Sequence, residues 1–305
     1  MSAAAGGAAT VISRTPPRLD LPVDPAFPAA RLGVGEVALW WLGQAGFAMR
    51  WDGRLALLDP YLSDSLAAKY RGRLFPHERL FDVPVAPESI TGVEVVLCTH
   101  GHTDHLDPWT VRGLLERNRP TFVVPRAVRD VALERGVPPD LLAPITAGER
   151  VDLGGGLVVE AVPAAHEERR TDANGDELFL GYVVTLGLVR VYHSGDCVPY
   201  AGQAELLAER GIDVALLPVN GRDPFRAANG VPGNFTARET AALCRAAGIP
   251  RLIAHHWGLF DFNTVDPTVA AGALAAAAGT GLAWELPAVG EGLTLRSSAG
   301  RDDAR

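Results

Sequence analysis

The sequence predicts an α+β fold in which two sheets pack face to face with helices on the outside. Two observations carry this. Apolar, strand-like runs separated by turn residues are followed by helix-like runs, and that order occurs twice along the chain. No internal shift of composition marks a linker, so residues 31 to 296 read as one domain. Residues 1 to 30, rich in Ala, Gly and Pro, read as a flexible arm, and 297 to 305 as a polar tail.

In order, "VALWWLG", "GFAMRWDG" and "RLALLDP" are successive strands joined by glycine-containing turns. "VEVVLCT" is a buried strand that runs directly into "HGHTDHLDP". Pro108 sits near the start of a helix, "DPWTVRGLLERN", with Asp107 at its entry. "TFVVP" is a short strand and "RAVRDVALERG" a helix. The glycines 154 to 156 form a turn rather than a phosphate loop, because no helix follows them. "GLVVEAVPA", "LFLGYVVTLG" and "LVRVYHSGD" are the second group of strands. "AGQAELLAERG" is a helix, "DVALLPV" a strand, and "TARETAALCRAAG" a helix with Thr236 as N-cap and Glu239 three residues later. "RLIAHHW" is a further buried strand, and "AAGALAAAAG" a short helix.

With 48% hydrophobic and 21% charged residues, the composition is globular. Lys plus Arg is 28 and Asp plus Glu is 36, a net charge of −8, which repels phosphate backbones and argues against nucleic acid as a partner. Three separated cysteines, Cys98, Cys197 and Cys244, are no disulfide framework and fit a reducing, cytoplasmic setting. No signal peptide is read at the N-terminus, and no apolar run of about 18 residues suggests a membrane span.

The chain has eight histidines, and three of them fall within residues 100 to 105. His100, His102, Asp104 and His105 form H-x-H-x-D-H, a set of imidazole nitrogens and a carboxylate suited to zinc and other first-row divalent ions. One loop cannot complete two coordination shells, so more ligands must come from elsewhere. Later strand ends supply them: His166 after "VVEAVPAA", Asp196 after "VRVYHSG", and His255 or His256 in "RLIAHHW". Asp196 is a natural bridging carboxylate, and Gly195 lets the backbone turn to present it.

This pattern resembles the metallo-β-lactamase superfamily. "WWLGQAGFAMR", "LLDPYLSDS", "VYHSGD", "LLPVNGRDPF…GNFTARE" and "HHW" are similar to the branch containing L-ascorbate-6-phosphate lactonase, over about residues 37 to 267. The resemblance implies an αββα sandwich with two divalent ions, Zn²⁺ or Mn²⁺, at one edge between the sheets. It implies His100, His102 and His166 on one ion, Asp104, His105 and the late histidine on the other, and Asp196 bridging. In that branch the late histidine directly precedes Trp, which selects His256, and strand alternation allows only one of the pair. Asp59 matches a position that steadies the histidine loop. Gln44 stands where many relatives carry histidine, and Cys197 where Thr is common.

The resemblance implies hydrolysis in which the two ions share and acidify a water. Asp104 is the catalytic candidate, orienting the nucleophile and passing a proton to the leaving group. The expected substrate is a lactone or other ester of a small anionic metabolite, phosphorylated or carboxylated, with a small phosphodiester as the alternative. Gln44, Asn220, Arg222 and Arg226 are candidate substrate contacts, the arginines as a fork for the anion. His193 reads equally as a proton carrier facing the site or as a histidine satisfied between the sheets. Cys197 reads as a small buried thiol. A di-iron redox protein on this fold is disfavoured, since such relatives place Glu where His102 stands. A non-enzymatic scaffold is disfavoured by the complete ligand set. Relatives of this type often self-associate, which leaves a homo-oligomer open.

Overall fold

A computed structural model describes residues 10–14, 27 and 32–297. In chain order the strands are β1 (Thr10–Arg14), β2 (Glu36–Gly43), β3 (Gly46–Trp51), β4 (Arg54–Leu58), β5 (Val93–Leu97), β6 (Thr121–Pro125) and β7 (Leu142–Ile145). They continue with β8 (Arg150–Asp152), β9 (Leu157–Pro163), β10 (Leu180–Leu186), β11 (Val189–His193), β12 (Val214–Pro218), β13 (Arg251–His255), β14 (Ala283–Glu285) and β15 (Gly292–Arg296). One sheet has the order β1-β15-β2-β3-β4-β5-β6-β7 and the other β14-β13-β12-β11-β10-β9-β8. Each is antiparallel in one half and parallel in the other, the parallel halves being β4 to β7 and β11 to β14.

Parallel neighbours need crossover connections, and most of the helices lie in them. Pro108–Leu115 links β5 to β6, Gln203–Ala208 links β11 to β12, Ala237–Ala246 links β12 to β13, and Pro267–Ala278 links β13 to β14. The predicted face-to-face sheets with outer helices are therefore what the chain builds. The central strands are buried on both faces, which is why they read as continuous apolar runs rather than alternating ones. In β2 all eight positions are buried. Val37, Leu39 and Trp41 point between the sheets towards Leu157, Val159 and Tyr182. Ala38, Trp40 and Leu42 point outward, into the layer that holds Val111, Leu114 and Ala132. The outer face of the second sheet buries Ala215, Leu217 and Leu252 with Ala241, Cys244 and Leu274.

Helix entries follow the local chemistry. Asp107 accepts hydrogen bonds from the backbone N–H groups of Trp109 and Thr110, and from the hydroxyls of Ser63, Ser65 and Thr110 at 2.6 Å each. Thr236 and Glu239 form the reciprocal capping box. Thr236→Ala removes one half of that box and is expected to lower stability by about 1 kcal/mol, read as a shift of the denaturation midpoint.

The structure differs from the sequence reading at the margins. Strands β7, β8, β14 and β15 were not anticipated, and "RAVRDVALERG" opens with a 3₁₀ turn, Arg126–Val128, before its helix. Residues 10–14 do not belong to a loose arm: they pair antiparallel with β15, Thr10 opposite Arg296 and Arg14 opposite Leu293. Phe27 is fully buried, its ring 5.6 Å from Trp40. The rest of the expected arm, and residues 298–305 of the expected tail, lie outside the described residues. Among the described residues, no helix is long and apolar enough to cross a membrane.

Candidate metal centre

The parallel halves of the two sheets bring several strand ends to one side of the molecule. Asp59 follows β4, the histidine loop follows β5, Asp196 follows β11, and His256 follows β13. His166 follows β9, and Gln44 lies in the tight turn between β2 and β3. Gln44, Asp59 and His256 all have positive φ, of 50°, 43° and 60°. Left-handed backbone is costly for such residues, at about 1–3 kcal/mol each, and concentrates at functional sites. Gly195 (φ 60°) is required for a second reason: a Cβ there would lie 2.6 Å from the Thr99 hydroxyl.

Seven side chains converge. His100, His102 and His166 form one group whose ligand-type atoms lie within 4.8 Å of one another, and Asp104, His105 and His256 form a second. Asp196 lies between them, one oxygen 3.3 Å from His105 Nε2 and 3.1 Å from His256 Nε2, the other 3.7 Å from His166 Nε2. His105 is held from behind. Its Nδ1 lies 2.8 Å from an oxygen of Asp59, which also accepts from the Thr99 hydroxyl, while the second Asp59 oxygen accepts from the Thr99 N–H. Arg135 donates to the carbonyls of His102 and Leu106, bracing the loop from the solvent side.

Several of the atoms that face inward lack hydrogen-bond partners. His100 Nε2 and both ring nitrogens of His166 are buried without one, while His105 Nε2 and one oxygen of Asp196 have one another and His256 as neighbours. Buried polar atoms left unsatisfied are expensive, and so many in one cluster point to a missing shared partner. Imidazole nitrogens and carboxylate oxygens within this distance of one another are the donor set of a divalent transition-metal ion, so the residues fit such a group.

The protonation of His100 and His166 fits as well. Burial holds the His100 imidazole well below its ordinary value and that of His166 down to about 4, so both are neutral near pH 7. Burial also disfavours charge on His105, but Asp196, Asp59 and Asp104 outweigh it and raise that group well above its usual value. Burial works to raise Asp196, yet the neighbouring His256 and His105 hold it well below the carboxylate range. Between pH 6.5 and about 4 the unfolded chain takes up a proton on His166 that the folded chain refuses. The chelated protein should therefore lose stability as pH falls through that window, by about 3 kcal/mol from His166 alone. His105 acts in the opposite sense and only above 6.5. Denaturation midpoints at a series of pH values check the direction.

The cluster forms the floor of a cleft of about 760 Å³. His102, Asp104, His166 and Asp196 reach it directly, and Lys69, Arg73 and Arg135 also line it. Among the described residues, the carboxylates of the lining are Asp104 and Asp196.

The remaining predicted residues fall differently. His256 reaches the cluster, whereas His255 turns away and stacks on His193 at 4.8 Å between the sheets. His193 is fully buried, bonded to the Ala45 carbonyl at 2.9 Å and accepting from the Gly195 N–H at 2.8 Å, which resolves its two readings towards the satisfied one. Gln44 is no lining residue: its amide nitrogen donates to Asp104 at 2.8 Å and lies 3.1 Å from His256 Nε2. The arginine fork is a misreading. Arg222 is spent on both oxygens of Glu239, and Arg226 on Asp223, Asn263 and the Asn220 carbonyl. Asn220 is buried and donates to Asn263, which does line the cleft, so this network shapes the wall instead of holding an anion. Cys197 is buried, and burial pushes its thiol up to about 12.

What the sequence reading missed is the cleft wall. Lys69 and Arg73 lie in the long connection 59–92, as do Tyr70, Phe75 and His77, and the length of that connection was the available signal.

A family model described as a β-lactamase superfamily domain matches residues 54–257. A UPF0173 metal-dependent hydrolase of Pyrobaculum arsenaticum is 27% identical over 230 residues, spanning 74% of this chain and 87% of the relative. A protein of the same name from Aeropyrum pernix is 31% identical over 212 residues, 63% of this chain and 76% of the relative. Among solved structures, an isothiocyanate hydrolase from Delia radicum gut bacteria superposes with a TM-score of 0.65 at 18% identity, covering 84% of this chain and 97% of that one.

Proposed function

The chain belongs to the metallo-β-lactamase superfamily, and from that premise we propose that it is a metal-dependent hydrolase acting on a lactone or other ester of a small anionic metabolite. The observation that carries this is the convergence of seven ligand-type side chains, several with buried inward atoms that lack partners, at a cleft that four of them line. The proposal includes two divalent ions, zinc or manganese, and the narrower likeness to the branch of L-ascorbate-6-phosphate lactonase.

His100, His102 and His166 would hold one ion, Asp104, His105 and His256 the other, and Asp196 both. Bound ions supply Lewis acidity at the scissile carbonyl and lower the pKa of water to near neutrality. The protein's own groups do the rest. Asp59 keeps the proton on His105 Nδ1, so that the Nε2 lone pair faces the cluster. The Gln44 amide fixes one oxygen of Asp104, and the Asp104 carboxylate, open to the cleft, orients the attacking water and passes its proton to the leaving alkoxide. Lys69, Arg73 and Arg135 give the cleft a positive wall that favours an anionic substrate. A phosphodiester would suit the same charges.

The test is a panel assayed with Mn²⁺- and Zn²⁺-loaded protein. Acid release from lactones, lost in Asp104→Ala, is the expected result. Turnover of bis(p-nitrophenyl) phosphate with inert lactones would replace the reading by a phosphodiesterase, and full lactone turnover in Asp104→Ala would remove Asp104 from its role.

A further inference from the structure

One wall of the cleft is built from rings. Tyr70, Phe75, His77, Phe260 and Phe262 all line it. They are packed on one another rather than scattered: Phe75 stacks on Phe262 at 4.5 Å, Tyr70 on His77 at 4.2 Å, and Phe260 lies nearly parallel to Phe262 at 5.8 Å. His77 meets Phe260 and Phe262 edge-on at 5.2 and 4.7 Å, and its Nδ1 is tied to the Phe75 carbonyl at 2.7 Å. Burial lowers the His77 imidazole below its ordinary value, so His77 adds no charge to the wall at neutral pH. The rings come from two connections far apart in sequence, and their mutual packing fixes them before any ligand arrives.

From this wall we infer that the substrate is an ester or lactone whose non-reacting part carries an aromatic or similarly flat apolar group, seated on the rings while the carbonyl lies over Asp104 and Asp196. The inference rests on the hydrolase reading above and narrows it. Rings lining a cleft are apolar surface that a flat hydrocarbon group removes from water. A polyhydroxylated sugar ring placed there would give up water from its hydroxyls and meet ring faces in exchange. The amide oxygen of Asn263, beside the wall, is already taken by Asn220 and Arg226. The volume, about 760 Å³, lies within the range of clefts that enclose drug-sized ligands, roughly 300–1,000 Å³. Lys69 and Arg73, also in the lining, leave room for a carboxylate on the same molecule.

The test compares 4-hydroxy-4-phenylbutanoate with 4-hydroxypentanoate, ring-opened acids that differ only in phenyl against methyl. Calorimetric affinities are measured on Mn²⁺-loaded protein, and hydrolysis of the two parent γ-lactones is followed alongside. The phenyl acid should bind at least tenfold more tightly. That ratio should fall to within about twofold in Phe262→Ala and should fall partway in Phe75→Leu, which keeps apolar volume and guards against misfolding of the first variant. Equal affinities in the unmodified protein, or an undiminished ratio in a folded variant, overturn the inference. Lactone turnover with equal affinities leaves the hydrolase reading standing without the aromatic preference. A tenfold phenyl preference with both lactones inert does the reverse.

Discussion

Replacing Asp196 by Ala should abolish activity, lowering kcat/KM by about 10³-fold or more, on the scale of removing a group that stabilises charge at the reacting centre. Of the seven convergent residues, Asp196 faces both groups: His105 and His256 at 3.3 and 3.1 Å through one oxygen, His166 at 3.7 Å through the other. Among the described residues, its loss removes the anion that faces both trios. The ion content should drop with the activity, and Asp196→Asn should fare little better, because a neutral amide lacks the charge that would hold two cations close together. The fold should survive, since the turn is set by Gly195 and the Ser194 hydroxyl is satisfied locally by the Gly195 carbonyl at 2.7 Å. Retention of both ions and of near-normal turnover in Asp196→Ala would remove the bridging role from the account.

The second large effect is expected at a residue outside the cleft. Asp59 is fully buried and accepts three hydrogen bonds, from the Thr99 N–H, the Thr99 hydroxyl and His105 Nδ1. Asp59→Ala strands all three donors and should cost about 3–5 kcal/mol of stability, as breaking a buried charged pair does. Asp59→Asn is more informative. Its oxygen can still take the Thr99 N–H, but its amide N–H₂ then faces His105 Nδ1, which must become the acceptor. The ring proton moves to Nε2, the atom that faces Asp196 and Asp104. Metal affinity should fall about 10–100-fold while most of the stability remains. Calorimetric titration of the chelated variant measures the first, and a denaturation curve the second.

How far the sequence could be read follows from how each feature is encoded. The central strands are apolar runs buried on both faces, as β2 is at all eight positions, and their length and flanking turn residues mark them as strands. The edge strands carry no such signal. β8 is three residues with its first and last exposed, β14 is another three, and β1 exists through its pairing with β15 rather than through its own pattern. The histidine loop was legible because its four residues fall within six positions, and the distant ligands because each lies within three residues of a strand end. The cleft wall was not, because its rings come from two irregular connections that only the fold brings together. Arg222 and Arg226 were misread although the sequence held the correction. Asp223 caps the helix Pro224–Ala228 and stands three residues before Arg226, and Glu239 of the capping box lies within reach of Arg222. Arginines beside local carboxylates are taken before any substrate arrives.

The central claim is that these seven side chains make two adjacent metal sites around Asp196. Anomalous diffraction from crystals grown with Mn²⁺ or Zn²⁺ tests it most directly. The account predicts two peaks about 3.5–4 Å apart on either side of Asp196, one against His100, His102 and His166 and the other against Asp104, His105 and His256. Metal-loaded crystals with no anomalous density at Asp196, or with ions held only by other residues, would contradict it.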